Sequence, residues 1–149
     1  MKKIYLETPI NKSLEFVKNA FDESLFEYLA PPIIPFQILE FGGCKKGDAV
    51  ELKLGPEFFH TTWRSDITEE LSQDSKWSFT DVGVKLPCPL KKWKHVHSVV
   101  KVDEHNCIIV DDINYDCENV VINNLIYPIL YLQFKARYPL YKKYFSNLK

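Results

Sequence analysis

The sequence has no strong excess of charge of either sign and no long hydrophobic run. Its 149 residues carry a formal net charge of -1 at pH 7, with a pI near 6.4. A near-neutral chain lacks the basic surface that attracts nucleic acids, so we expect no nucleic-acid partner. No apolar stretch approaches the roughly 20 residues that a membrane-spanning helix needs. We therefore predict a cytoplasmic protein without a transmembrane segment.

Closely spaced cysteine pairs and familiar catalytic signatures are also missing. The four cysteines have no histidine at the offset of a zinc finger, which predicts free thiols in a reducing compartment. There is no glycine-rich phosphate loop, Gly-x-Ser-x-Gly, His-Glu-x-x-His or Cys-x-x-Cys. Nothing therefore supports nucleotide hydrolysis, a serine hydrolase or a zincin, and we expect no cofactor.

What the chain does have is a series of short segments typical of strands. Its length predicts one domain, residues 1–149. A first strand over 3–8 ends at Pro9, and two short helices follow, the second ended by Pro31 and Pro32. Turn residues then separate strands predicted over 36–41, 49–54, 58–71 and 77–85, before a hairpin over 93–115. About seven successive strands indicate an antiparallel meander.

The predicted hairpin carries polar and aromatic side chains in alternation with aliphatic ones. Its two arms are 93–100 and 107–115, joined by the polar turn 103–106. Because side chains on a strand alternate between faces, Trp93, His95 and His97 share one face, while Asp111 and Tyr115 share a face of the second arm. If both faces point inward, the interior is mixed, as in a binding cavity.

The last segment, 118–145, is apolar at positions that approximate one helical stripe. Pro128 and Pro139 should kink or divide this helix. A helix with a wide apolar face must cover a sheet, so we expect it on the concave side of the meander. We place Leu125, Ile129 and Leu132 on its inward side.

This arrangement resembles the helix-grip fold of the SRPBCC superfamily, which includes the START domains and the birch-pollen-allergen-like proteins. The small polyketide-cyclase/dehydrase-like branch is the most similar. The residues that carry the resemblance are 11–17 with 25–32, 63–67, 79–81, 93–97, Asp111 with Tyr115, and 134–140 with Arg137 inside. The resemblance implies an α+β fold in which the sheet curves around a long C-terminal helix. It also implies an internal cavity between sheet and helix, open to small apolar molecules.

His95, His97 and Asp111 are the candidate catalytic residues. Two histidines two residues apart on a strand could reach one ligand or one metal, with Asp111 across the hairpin as a third metal ligand. We favour hydrogen-bonded structural groups, with His97 paired to Asp111, then a polar ligand contact, and place a metal last. If a ligand replaces the partner of Asp111, that carboxylate could act as a general base.

Arg64 and the aromatic residues also have two interpretations each. Arg64 could clamp a ligand carboxylate or form a surface ion pair with Asp66, and each aromatic ring could line a cavity or fill the core. The complete set of predicted ligand-binding residues is Trp63, Arg64, Phe79, Trp93, His95, His97, Asp111, Tyr115, Leu125, Ile129 and Leu132.

Three functions remain open at this point. The first is binding of a small hydrophobic or amphipathic molecule in the cavity, by a monomer or weak homodimer. The second is an enzyme of cyclase or dehydratase type in the same cavity. The third is a protein-interaction module whose cavity is filled by its own side chains, for which the ten Phe and eight Tyr are sufficient. Fold alone does not separate them.

Overall fold

The computed structural model of the protein describes residues 1–31 and 34–148. Within these ranges the elements are β1 (Lys2–Ile10), α1 (Leu14–Asn19), α2 (Glu23–Tyr28), β2 (Phe36–Phe41), β3 (Ala49–Leu54), β4 (Thr61–Gln73), β5 (Lys76–Lys85), β6 (Leu90–Lys101), β7 (Cys107–Cys117), α3 (Val120–Lys135) and α4 (Arg137–Asn147). The predicted α+β architecture is therefore confirmed: seven strands, two short helices after the first strand, and a long helical segment at the C-terminal end.

The seven strands form one antiparallel sheet in the order β1-β7-β6-β5-β4-β3-β2. The chain thus runs as a meander from β2 to β7, and β1 then closes the sheet against β7. β1 does not end at Pro9 as predicted but continues to Ile10. Because β1 is an edge strand, it can contain a proline, which lacks the N–H that a central strand would need.

The fourth strand begins later than the sequence suggests. Residues 58–60 were expected in the strand, yet Phe58 and Phe59 are exposed and β4 begins at Thr61. Gly55 has a φ of 102°, a conformation that glycine adopts without steric cost, and the Phe59 N–H donates to the Pro56 carbonyl. This turn keeps the chain out of the sheet until Thr61.

The two short helices are capped by side chains that precede them. The Ser13 hydroxyl accepts from the Phe16 N–H, and the Asp22 carboxylate accepts from the Leu25 N–H. Such caps satisfy N–H groups that have no partner within the helix. α2 ends at Tyr28, before Pro31, whereas Pro32 lies outside the described residues.

The C-terminal helical segment is divided at Ala136, and no described helix is long and apolar enough to cross a bilayer. α3 continues through Pro128, and the break comes just before Pro139, which lies in the first turn of α4, where proline is tolerated. The inward side of α3 was predicted wrongly. Leu125, Ile129 and Leu132 are 65%, 59% and 63% exposed, while Leu130 and Phe134 are buried against the sheet.

Two clusters of apolar side chains form the core between the sheet and the helices. The first joins α1, α2 and α4 to the middle of the sheet, and the second joins α3 to β1, β6 and β7. All four cysteines are free, as predicted, and burial raises the pKa of the Cys44 thiol to about 12. Between the two clusters lies a group of buried polar side chains.

Candidate functional site

The polar group consists of one residue from β5, two from β6 and one from β7: Asp81, His95, His97 and Asp111. Strand alternation directs both histidines to the inner face, and the register places Asp81 opposite His95 and Asp111 opposite His97. His95, His97 and Asp111 are almost completely buried, and the Asp81 side chain is 13% exposed. We call these four residues the His/Asp cluster.

Each imidazole of the cluster faces both carboxylates. His95 Nε2 is 2.9 Å from Asp111 Oδ1, and His95 Nδ1 is 3.5 Å from Asp81 Oδ2. His97 Nε2 is 3.2 Å from Asp81 Oδ2, and His97 Nδ1 is 3.6 Å from Asp111 Oδ1. The Trp93 indole N–H donates to the other oxygen of Asp81 over 2.9 Å. The expected pair of His97 with Asp111 is thus the longest of these contacts, and His95 is the hydrogen-bonded partner of Asp111.

The cluster shifts the pKa values of its members. Burial opposes ionisation of Asp111, but the hydrogen bond from His95 and the positive charges of His95 and Arg137 lower its pKa to about 2. Burial also opposes ionisation of Asp81, yet the hydrogen bond from His97 and the charge of His95 keep its pKa below the usual value. Burial and the charge of His95 lower the pKa of His97 to about 4. At neutral pH both carboxylates are therefore ionised and His97 is neutral.

The cluster borders a pocket of about 110 Å³ between the sheet and the C-terminal helices, which we call the inner pocket. Its wall is largely apolar, with Phe26, Leu29, Val50, Leu52, Trp63, Ile67, Phe79, Trp93, Leu130 and Phe134 among its residues. Its polar side chains are Ser65, Asp81, His95, His97, Gln133 and Arg137. Asp111 lies behind the two histidines and does not reach the wall.

Five of the predicted ligand-binding residues line the inner pocket: Trp63, Phe79, Trp93, His95 and His97. The Trp63 and Trp93 rings meet edge to face, with centroids 4.7 Å apart. Phe79 stacks on His97 at 4.5 Å, with the ring planes 12° apart. Aromatic contacts of this kind fix the side chains that form the wall.

Arg64 lies on the opposite face of β4 and does not line the pocket. Its guanidinium is 3.1 Å from a Glu40 oxygen, 3.2 Å from Glu51 and 3.6 Å from Asp66. The ligand clamp considered for Arg64 is therefore corrected to a surface ion-pair network. The reason is the strand period of two, which directs Trp63 and Ser65 inward and Arg64 outward.

The other predicted residues also lie away from the pocket wall. The Tyr115 hydroxyl is buried and donates to the Asn123 carbonyl over 2.9 Å, at the first turns of α3. Leu125, Ile129 and Leu132 are on the exposed side of that helix. Tyr115 thus joins β7 to α3, and the three aliphatic residues contribute nothing to the wall.

Sequence reasoning missed four polar residues of the wall, and the two charged ones among them are Asp81 and Arg137. Asp81 shares its face of β5 with Phe79, so strand alternation alone could have placed it beside the histidines. Arg137 begins α4, and its guanidinium lies 4.2 Å from the centre of the Phe134 ring. Pro139 is a local signal for a helix break in this region, but no local signal shows that the break turns Arg137 toward the pocket.

Comparison with known proteins shows similarity in structure only. No family model and no curated protein matches the sequence. The structure of Ara h 8.0201 matches with a TM-score of 0.66 and 11% identity over 99% of both chains. The chain has a helix-grip fold. Norcoclaurine synthase from Thalictrum flavum matches this helix-grip chain with a TM-score of 0.59 and 13% identity, over 85% of this chain and 75% of the synthase.

A second helix-grip match is the Zhui aromatase/cyclase from Streptomyces sp. R1128. Its TM-score is 0.56 at 13% identity, over 80% of this chain and 70% of the cyclase. The resemblance predicted from the sequence is thus confirmed for the fold. Proteins with different names share this fold, so the function of this chain must be argued from its pocket and the side chains that line it.

Proposed function

We propose that the protein binds a small amphipathic molecule in the inner pocket. The observation that carries this proposal is the wall itself, which is apolar over most of its area and polar where the His/Asp cluster and Arg137 meet. Ligand sites typically combine an apolar wall with a few convergent polar groups that orient the ligand. The apolar body would pack on Leu52, Trp63 and Phe134, with its polar group toward Arg137 and the histidines.

The volume of the pocket limits the size of the ligand. About 110 Å³ is well below the roughly 300–1,000 Å³ of typical drug-sized sites. The pocket therefore fits a compact molecule such as a single aromatic ring with a short polar arm. A fatty acid or sterol would require the wall to open.

A thermal-shift series tests this proposal. The panel runs from single-ring aromatic acids to flavonoids, aromatic polyketides, isoprenoids, fatty acids and sterols, with each acid paired to its methyl ester. We expect a dose-dependent rise in melting temperature, because a ligand that binds only the native state adds about 2.7 kcal/mol at 100 times its Kd. The acid should bind more tightly than the ester, since only the acid offers a charge to Arg137.

Matched variants place the binding in the pocket. Leu52→Trp places a large ring in the inner pocket and should abolish the shift in melting temperature. Leu132→Trp adds the same ring on the exposed side of α3 and should preserve that shift. A folded sample that shows no shift across the panel and binds no apolar dye would contradict ligand binding. That result would favour the interaction module with a filled core.

An enzyme of cyclase or dehydratase type is the second candidate. It is favoured by the neutral imidazole of His97 on the pocket wall, whose Nε2 lies 3.2 Å from the ionised Asp81 carboxylate at the same wall. Imidazole and carboxylate groups are the usual carriers of protons in such reactions. Two structures with the same fold are named for enzymes, an aromatase/cyclase and norcoclaurine synthase, which supports chemistry in this kind of pocket.

His97→Gln separates the enzyme from the carrier. If His97 moves a proton, this variant should abolish the conversion of a bound ligand, while the Kd of the ligand changes little. Mass spectrometry of the ligand measures the conversion. His105→Gln, in the exposed turn before β7, is the matched control and should convert the ligand at the normal rate. Recovery of every bound ligand unchanged from the unmodified protein would exclude the enzyme.

A further inference from the structure

Three atoms of the His/Asp cluster converge at the pocket wall with the spacing of metal ligands. Asp81 Oδ2 is 3.2 Å from His97 Nε2 and 3.5 Å from His95 Nδ1, and one possible ligand atom from each of the three residues lies within 4.8 Å of the others. In a tetrahedral site with bonds of 2.0–2.2 Å, neighbouring ligand atoms are about 3.4 Å apart. The two distances from Asp81 Oδ2, 3.2 Å and 3.5 Å, lie on either side of this value.

We propose that Asp81, His95 and His97 bind a first-row divalent transition metal such as Zn²⁺, through Oδ2, Nδ1 and Nε2 respectively. Two imidazoles and one carboxylate form a donor set that zinc and iron sites share. The sequence suggested Asp111 as the third ligand beside the two histidines. The geometry assigns that position to Asp81, on the neighbouring strand.

Asp111 occupies the position of a supporting residue behind the ligands. Its Oδ1 is 2.9 Å from His95 Nε2 and 3.6 Å from His97 Nδ1, the two ring nitrogens that point away from Asp81. Metal-binding histidines usually donate the N–H of their second nitrogen to a carboxylate, which fixes the tautomer. Here one carboxylate oxygen faces the second nitrogen of both rings.

The Asp81 carboxylate is held in the same manner. Its Oδ1 accepts the Trp93 indole N–H over 2.9 Å, which leaves Oδ2 directed at the two histidines. Ligating carboxylates commonly carry such an outer hydrogen bond. Asp81 and His95 therefore each have a second hydrogen-bonded contact that holds them in place. The corresponding atom of His97, Nδ1, is buried and has no hydrogen-bond partner among the described residues.

The position of the site leaves room for a further ligand. Asp81, His95 and His97 all line the inner pocket, whereas Asp111 does not. Three protein ligands facing a cavity are typical of metal sites that keep a coordination position open for water or substrate. A dication would also offset the negative charge of the two carboxylates when both imidazoles are neutral.

Metal binding competes with a proton in this arrangement. Without metal, His95 Nδ1 faces Asp81 and His95 Nε2 faces Asp111, while His97 Nε2 also faces Asp81. With metal, His95 Nδ1 and His97 Nε2 must both be free of protons, while His95 Nε2 keeps the hydrogen bond to Asp111. The ring proton of His97 then resides on Nδ1, so metal binding fixes the tautomer of both rings.

Metal titration of the full chain without an affinity tag tests the proposal. The reference protein carries His60→Ala, His105→Ala and Cys88→Ser, which removes the exposed histidines and the exposed cysteine. After treatment with chelator, Zn²⁺ is titrated calorimetrically and Co²⁺ by its visible absorption. We expect one ion per chain. Asp81→Asn, His95→Gln or His97→Gln should abolish this binding, and Asp111→Asn should weaken it about 10–100-fold.

Nitrogen NMR of the reference protein gives a result that does not depend on a variant's folding. Zn²⁺ should shift Nδ1 of His95 and Nε2 of His97, and should leave Nε2 of His95 protonated. Absence of a stoichiometric ion in either titration would overturn the proposal. So would binding that all three ligand variants retain, or Zn²⁺-induced shifts at other nitrogens of these two rings.

Discussion

Asp111→Ala should lower the free energy of unfolding by about 1–3 kcal/mol, the usual cost of leaving a buried hydrogen-bonding group without its partner. The carboxylate is buried and accepts a hydrogen bond from His95. Without it, the polar nitrogens of His95 and His97 that point away from Asp81 would be left in an apolar surrounding. Urea unfolding at pH 7 in the presence of a chelator measures the effect on the metal-free protein.

Asp112→Ala is the matched control for this measurement. Asp112 is the next residue of β7 and points to the other face, where it pairs with Lys3 at 3.0 Å. Partly exposed pairs of this kind contribute about 0–1 kcal/mol. Equal losses for the two variants would mean that the His/Asp cluster contributes no more to stability than a surface ion pair.

Leu130→Ala should destabilise the protein by about 2–5 kcal/mol, as is typical of buried leucines. Leu130 is 8% exposed and packs in the cluster that joins α3 to the sheet. Truncation removes apolar contacts between α3 and the sheet and enlarges the inner pocket, which Leu130 lines. Thermal or urea unfolding gives the difference directly.

Leu132→Ala makes the same chemical change on the other side of α3. Leu132 is 63% exposed, so its truncation should change stability by no more than about 0.5 kcal/mol. Comparing the two variants thus shows which face of α3 packs against the sheet. A larger loss for Leu132→Ala than for Leu130→Ala would show that α3 presents the opposite face to the sheet.

The strands were predictable because their side chains alternate clearly. β2 and β3 have the predicted bounds, and the inward residues predicted for the hairpin of β6 and β7 are buried. His95, His97 and Asp111 were thus placed correctly on the inner face. A period of two allows only two orientations, and the apolar neighbours of these residues select one of them.

The orientation of α3 was not predictable by the same reasoning. The helix is apolar on nearly all sides, so Leu125 and Ile129 fit a stripe as well as Leu130 and Phe134 do. Which stripe is buried depends on the break at Ala136 and on the packing of Trp93 and Phe134. These are tertiary contacts, which a sequence pattern does not encode locally.

The pairing inside the site also depended on geometry beyond the strand register. The register places Asp111 opposite His97, yet its hydrogen bond comes from His95, one position along the same face. Side-chain torsions decide between a direct and a diagonal cross-strand partner. Asp81, in contrast, was predictable from the sequence, because strand alternation places it on the same face of β5 as Phe79.

The pairing of β1 with β7 sets the order in which the fold can be completed. Lys2 lies beside Tyr115 and Ile10 beside Cys107, so the first strand has its partner only after the last strand has been synthesised. The meander from β2 to β7 uses neighbours in sequence, whereas this closure joins distant parts of the chain at a large cost in loop entropy. During synthesis on the ribosome β1 therefore has no strand to pair with until β7 has been made, so the sheet cannot be completed before the whole meander exists.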